Sequence, residues 1–186
     1  MNIMKVCCAA LTVAMTLINS HANAALPINE LTHDEATTTV YLVRHGEKQP
    51  GRDPLLTIAG EKRAQTLATL FKDVKLTSVY STNYQRTIHT ATPAARLQGL
   101  VIQQYNPRAL SEFATKLSAM PGKHLVVGHS NTTHELAKLL GAKPGMPIDD
   151  KTEFNRFYVI HLSPPAMQQT ENAHSPTIVS SKILRY

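Results

Sequence analysis

Tryptophan is absent from this sequence, aromatic residues make up only 5% of it, and its two cysteines, Cys7 and Cys8, are adjacent. Neighbouring cysteines near one end cannot frame a disulfide-stapled fold, and without a C-x-x-C pair there is neither a zinc ribbon nor a dithiol motif. No G-x-G occurs, which removes the dinucleotide fingerprint; Gly46-x4-Gly51 is followed by Arg52-Asp53 rather than Lys-Ser/Thr, which removes the P-loop. Charge of one sign does not dominate: 19 Lys+Arg face 13 Asp+Glu, a net +6. Only Lys62-Arg63 place two cations side by side, so no polybasic block is present to grip nucleic acid or an anionic membrane. An apolar run of 18 residues is also missing. What remains is ordinary: 186 residues, 42% of them apolar, enough for the core of one globular domain.

Residues 1–24 read as a secretory signal. Lys5 supplies the positive start, Val6–Ile18 the apolar stretch, and Ala22-Asn23-Ala24 the small-x-small cleavage pattern. As a helix that stretch would cover roughly 20 Å, too short for a hydrocarbon core of about 30 Å. The expectation is an exported protein, periplasmic or secreted, with no stable membrane insertion after cleavage. Both cysteines leave with the signal, so the remainder has no thiol to react in an oxidising compartment.

Residues 25–39 form a polar lead-in, and 40–186 a single domain. Strands are expected at Val40–Val43, Ser78–Tyr80, Leu100–Gln103, His124–Val127, Phe157–Leu162 and Ile178–Leu184. Helices are expected from a cap at Thr57 to about Lys72, then at Asn83–Leu97, Ala109–Ala119 and Asn131–Leu140, with Gly141 as the final stop. Pro93 lies inside the second helix and predicts a kink or an early end. Ser163–Pro176 is a Pro/Gln/Ser-rich connection, expected to be mobile. Four alternations of strand and helix argue for a three-layer α/β fold, a mainly parallel central sheet of about six strands flanked by helices.

Ligands of such sheets bind beyond the carboxyl ends of the strands. Arg44-His45-Gly46-Glu47 follows the first strand, Ser81 to Thr87 with Arg86 the second, and Gly128-His129-Ser130 the fourth. Two arginines and two histidines thus fall on one sheet edge, without a carboxylate pair to complete a metal cage. Guanidinium forks bind phosphate oxygens bidentately. A neutral imidazole can act as a nucleophile and carry a phosphoryl group. Phosphoryl transfer is the chemistry such a set serves, the cations stabilising charge on the equatorial oxygens.

Four ordered motifs carry a family resemblance: Val43-Arg44-His45-Gly46-Glu47, Leu56-Thr57-x-x-Gly60-x-x-Arg63-Ala64, Ser81-x4-Arg86-Thr87-x-x-Thr90-Ala91, and Val126-Val127-Gly128-His129-Ser130. In them the chain resembles the small members of the histidine phosphatase superfamily, the phosphoglycerate mutase-like group. The resemblance implies a hydrolase in which His45 becomes transiently phosphorylated, Arg44 and Arg86 bind the phosphoryl group, and His129 donates to the same oxygens. It implies no metal or organic cofactor, and a small phosphorylated substrate or a phosphoprotein as partner. Many relatives place a glutamate after the third strand as general acid. Glu112 is the candidate here, though the glycine expected after it is missing and an ordinary exposed helix glutamate is the equal alternative. Some small relatives, such as phosphohistidine protein phosphatases, manage without such an acid. Glu47 reads as structural.

Other readings compete. Gly128-His129-Ser130-Asn131-Thr132 nearly spells the G-x-S-x-G elbow of a serine esterase, with Ser130 as nucleophile and Asp149, Asp150, His161 and His174 downstream. Thr132 occupies the second glycine position, and Arg44, His45 and Arg86 would stand idle. A phosphate- or phosphoprotein-binding module of the same fold without turnover is the third reading. The spacing of His124, His129 and His134 does not suit a shared ion, because five strand residues span roughly 16 Å. The segments expected to set specificity are Gln49–Pro54, Tyr105–Glu112 and Gly141–Phe154.

Overall fold

The computed structural model describes residues 37–163 and 178–186. The signal, most of the lead-in, and all but Ser163 of the 163–176 connection lie outside the described residues. In chain order the elements are β1 (Thr38–Arg44), α1 (Ile58–Leu70), β2 (Ser78–Ser81), α2 (Gln85–Leu97), β3 (Ile102–Gln104), α3 (Leu110–Ser118), β4 (Gly122–Gly128), α4 (Ser130–Leu139), β5 (Arg156–Leu162) and β6 (Ile178–Arg185). They form one six-stranded sheet in the order β3-β2-β4-β1-β5-β6. The first four strands run parallel, and β5 and β6 are antiparallel to their neighbours. This is the expected three-layer α/β fold.

Every residue of β1 and of β5 is buried, as strands covered on both faces must be. Alternation divides the core. Tyr41, Val43, Val79, Leu125 and Val127 face Leu67 and Phe71 from the α1 region and Ala91 and Ala94 of α2. Val40, Leu42, Tyr80 and Val126 face Phe113 and Leu117 of α3 and Leu136 of α4. Burying side chains of this size contributes about 1.5–3 kcal/mol each.

Two expectations are corrected. β1 begins at Thr38, inside the expected lead-in, because Thr38 and Thr39 pair with both β4 and β5, and Thr39 Oγ1 meets His161 Nδ1 at 3.0 Å. α2 does not end at Pro93 but continues to Leu97. The carbonyl that Pro93 leaves without a donor belongs to His89, an exposed residue where water can replace the lost bond.

The register brings the strand ends together. Arg44 pairs with Gly128, and Ser81 with both Val127 and Gln104, so the segments after β1, β2, β3 and β4 leave from one edge. His124, bonded to Ser78 at the start of β2, and His161, opposite Thr39, stand toward the other edge.

Candidate active site

The carboxyl edge begins with His45, which is 2% exposed and takes its backbone position from a bond between its N–H and the Gly128 carbonyl, 2.9 Å. Its Nδ1 lies 2.7 Å from the Gly46 carbonyl oxygen. A carbonyl only accepts, so Nδ1 carries the proton and Nε2 keeps the free lone pair. Burial, reinforced by the nearby cations Arg44 and Arg86, pushes the His45 pKa down to about 3. The ring is therefore neutral at ordinary pH, the form that can attack an electrophile.

The loop after His45 is held from three sides. The Gly46 N–H donates to Thr90 Oγ1 at 2.9 Å, and that hydroxyl donates to the Arg86 carbonyl. Gly46 and Gly60 approach so closely that a Cβ on Gly46 would stand 2.9 Å from the Gly60 oxygen. Glu47 receives Arg63 through Nε (2.9 Å) and Nη2 (2.6 Å), and Arg63 holds its carboxyl below the ordinary range. Thr57 caps α1 by accepting from the Gly60 N–H. The Thr57/Gly60/Arg63 motif thus fastens the nucleophile loop, with Glu47 in the structural position expected of it.

His129 sits opposite, its ring centroid 5.5 Å from that of His45. Arg86 Nη2 lies 3.3 Å from His129 Nδ1, and His129 Nε2 lies 3.0 Å from Thr82 Oγ1. A guanidinium only donates, so Nδ1 is bare and the proton is on Nε2. Thr82 then donates to Thr87 Oγ1 (2.9 Å), which donates to the Tyr84 carbonyl (2.8 Å), closing a directed chain of buried hydroxyls. Burial and the Arg86 guanidinium push the His129 pKa down to about 4. In this arrangement His129 is an acceptor toward Arg86, and it becomes the expected donor only on taking up a proton at Nδ1.

The two arginines differ. Arg44 is 1% exposed, and its four terminal N–H groups are all used by the turn before β5: Nη1 by the Asp149 and Glu153 carbonyls (3.0 and 3.1 Å), Nη2 by the Asp150 carbonyl and Oδ1 (both 2.7 Å). Its guanidinium lies 4.1 Å from the Phe154 ring centroid. A bidentate fork from Arg44 to a phosphate is therefore not free; its Nε is the buried donor without a partner. Arg86 also has a buried, unpartnered Nε. Its remaining contacts are looser: Asp53 Oδ1 at 3.5 Å, His129, and the Tyr84 ring at 4.5 Å.

Four of the five expected site residues, His45, Arg44, Arg86 and His129, share this edge. Glu112 does not join them: it is exposed in the first turn of α3 and makes no hydrogen bond or ion pair among the described residues. Ser130 Oγ donates to Asp150 Oδ1 at 2.7 Å rather than to a histidine. His161 stands toward the far edge and His174 lies outside the described residues, so the esterase arrangement is not formed. The sequence reading gave Thr82 no role although it lies inside the Ser81-x4-Arg86 motif, and it placed Asp150 and Phe154 only in the Gly141–Phe154 segment expected to set specificity, with Asp150 also as an esterase partner. Their contacts with Arg44 and His45 span more than a hundred residues, which no local pattern signals.

A model of the histidine phosphatase superfamily (branch 1) matches residues 40–116. No curated protein matches the chain by sequence. Among solved structures, mycobacterial hydrolase 2 is similar with a TM-score of 0.60 at 12% identity, covering 77% of this chain and 90% of that one. The protein histidine phosphatase SixA complexed with tungstate gives 0.55 at 16%, covering 77% and 95%. A mycobacterial glucosyl-3-phosphoglycerate phosphatase gives 0.55 at 12%, covering 68% and 91%. At such identities the likeness is one of fold. The family model thus agrees with the resemblance read from the motifs over residues 40–116, and the fold is one that solved phosphatases share.

Two measurements test this geometry. Arg44→Ala removes the pin of the turn before β5 and is expected to cost about 3 kcal/mol in urea unfolding. Arg86→Ala, with its looser contacts, is expected to cost less than about 1 kcal/mol; equal losses contradict the division. In histidine-labelled protein followed by NMR, His45 and His129 should stay neutral from about pH 8 to 5, whereas free imidazoles titrate near 6.5. Folded pKa values are depressed, so stability tied to these rings is full above about pH 6.5 and is lost as pH falls through about 4 for His129 and about 3 for His45. A midpoint near 6.5 for either ring would sink the assignment.

Proposed function

We propose that the chain is an exported phosphatase that hydrolyses phosphomonoesters, or phosphohistidine, through a covalent phosphohistidine on His45. The observation that carries this reading is the 2.7 Å contact between His45 Nδ1 and the Gly46 carbonyl, which leaves Nε2 as a neutral, oriented nucleophile beside two arginines and a second histidine. Phosphatases among the similar structures support it, and the pattern of residues 1–24 supports export to the periplasm or beyond.

In the first step Nε2 bonds to phosphorus as the phosphorus–oxygen bond to the leaving group breaks, and the leaving oxygen takes a proton from solvent. In the second, water attacks phosphorus, the nitrogen–phosphorus bond breaks, inorganic phosphate departs, and His45 returns to the neutral form. The buried Nε groups of Arg44 and Arg86 donate to the phosphoryl oxygens, where charge spreads in transit. His129 accepts at Nδ1 the proton of a monoanionic phosphoryl group and then donates it back to the same oxygen, consistent with its bare Nδ1 in the chain through Thr82. No metal or organic cofactor enters. Glu112 has no part in the proposal, because nothing connects it to His45. Without a carboxylic acid at the leaving group, substrates that depart readily, aryl phosphates and phosphoramidates, should turn over fastest.

Purified protein is expected to hydrolyse p-nitrophenyl phosphate in the presence of a chelator and to be inhibited by vanadate. His45→Ala should lower kcat/KM at least about a thousandfold, and Glu112→Gln should stay within about twofold. Undiminished activity of His45→Ala contradicts the mechanism, and vanadate binding with no turnover would leave a silent phosphate-binding module.

A further inference from the structure

Each arginine of the site meets one carboxylate, and the two contacts are unlike. Arg44 meets Asp150 at 2.7 Å with three carbonyls beside it, and its terminal N–H groups are all spent there. Arg86 meets Asp53 Oδ1 through Nη1 at 3.5 Å, and it donates to no carbonyl among the described residues. Charge-assisted bonds from N–H to a carboxylate usually close to about 2.7–2.9 Å. The Arg86 contact is therefore an electrostatic pull rather than a clamp.

Asp53 belongs to the excursion between β1 and α1. A bridge between Lys48 and Leu56 and a bond from the Gln49 N–H to the Leu55 carbonyl (3.0 Å) close its base. Residues 50–53 are exposed, and Gly51, at φ +133°, turns the chain at the tip. Among the described residues, Asp53 makes the only hydrogen bonds from that tip to another element. Its Oδ1 accepts from the Gln85 N–H at 3.0 Å, at the start of α2, as well as from Arg86. The carboxylate thus stands where an anion is favoured, on a helix N-terminus beside a guanidinium. Its charge reaches further into the site, where it raises the His129 pKa against the larger lowering by burial and Arg86.

A phosphoryl dianion approaching Arg86 meets this carboxylate as a rival. The guanidinium charge is already partly neutralised, while its buried Nε has no partner. Asp53 is 43% exposed on its side chain, so it can give way to water at small cost. We propose that Asp53 is a displaceable counter-ion that competes with the phosphoryl group for Arg86 and sets the affinity of the site for phosphate. The inference rests on the phosphatase reading, which puts the phosphoryl group between His45 and Arg86. Its consequence is release: the carboxylate returns to Arg86 as inorganic phosphate departs. Such a competitor weakens substrate and transition state alike, and so acts on KM rather than on kcat.

The test is the Kd of inorganic phosphate by calorimetry, together with KM and kcat for p-nitrophenyl phosphate. Asp53→Asn keeps an acceptor oxygen for the Gln85 N–H and removes the charge. It is expected to lower both Kd and KM by about fivefold, the scale of one half-exposed ion pair, without a comparable change in kcat. Asp53→Ala should tighten phosphate as well. Unchanged constants in Asp53→Asn overturn the competition. Weaker phosphate binding in either variant also overturns it, since Asp53 would then be a support that holds Arg86 in place. An equal gain in Glu112→Gln, a carboxylate away from both arginines, would assign the effect to net charge and overturn it too. Native protein that neither binds phosphate nor hydrolyses p-nitrophenyl phosphate overturns the phosphatase reading and this inference together.

Discussion

Everything at the carboxyl edge depends on one hydrogen bond, from His45 Nδ1 to the carbonyl of the next residue. A buried imidazole without a fixed tautomer presents either nitrogen, and only one presentation leaves Nε2 free to attack. The carbonyl can serve only if Gly46 is held still. Thr90 of α2 takes its N–H, Gly60 of α1 packs against it without a side chain, and Arg63 anchors Glu47 one residue further on. Three motifs far apart in sequence therefore meet on a single peptide unit. The parallel register of β1 with β4 adds the fourth, delivering His129 to the same edge.

Cations packed around a neutral nucleophile pose an electrostatic problem, which the structure divides between two arginines. Arg44 is committed to the turn before β5, where three carbonyls and the Asp150 carboxylate offset its burial. Asp150 itself is 73% exposed on its side chain, so the pair is only half desolvated. A second clamp continues the turn: Glu153 receives Arg156 at 2.7 Å, and Arg156 Nη1 reaches the Pro144 and Met146 carbonyls. The segment from 144 to 156 is thereby fixed against the nucleophile. Arg86 keeps contacts that an incoming anion can displace.

Much of this was legible in the sequence, and the reason is locality. Hydrophobic runs and caps placed six strands and four helices, and the rule that parallel sheets bind at their carboxyl ends selected His45, Arg44, Arg86 and His129. Element limits moved where pairing was not local, as at Thr38, which is a strand residue only because β4 and β5 lie beside it. The site was harder to read where its partners came from afar. Asp150 and Phe154 arrive from a loop with no motif, and their hold on Arg44 changes that residue from a free fork to a pin with a single donor. The family resemblance made Glu112 a candidate, yet α3 leaves it exposed.

Hydroxyl groups complete the edge in a way composition could not reveal. Thr82, Thr87 and Thr90 are all fully buried, and each is spent on the orientation of a histidine or of the peptide that orients one. The central claim is that this scaffold serves covalent chemistry at His45 Nε2. It is tested most directly by mixing the protein with excess p-nitrophenyl phosphate, quenching in alkali within the first turnover, and mapping modified peptides by mass spectrometry. The account predicts one phosphoryl group on His45, stable in alkali and lost in acid, and absent from His45→Ala. Phosphorylation at another residue, or hydrolysis with no trapped intermediate under conditions where the chemical return to water is rate-limiting, would contradict it.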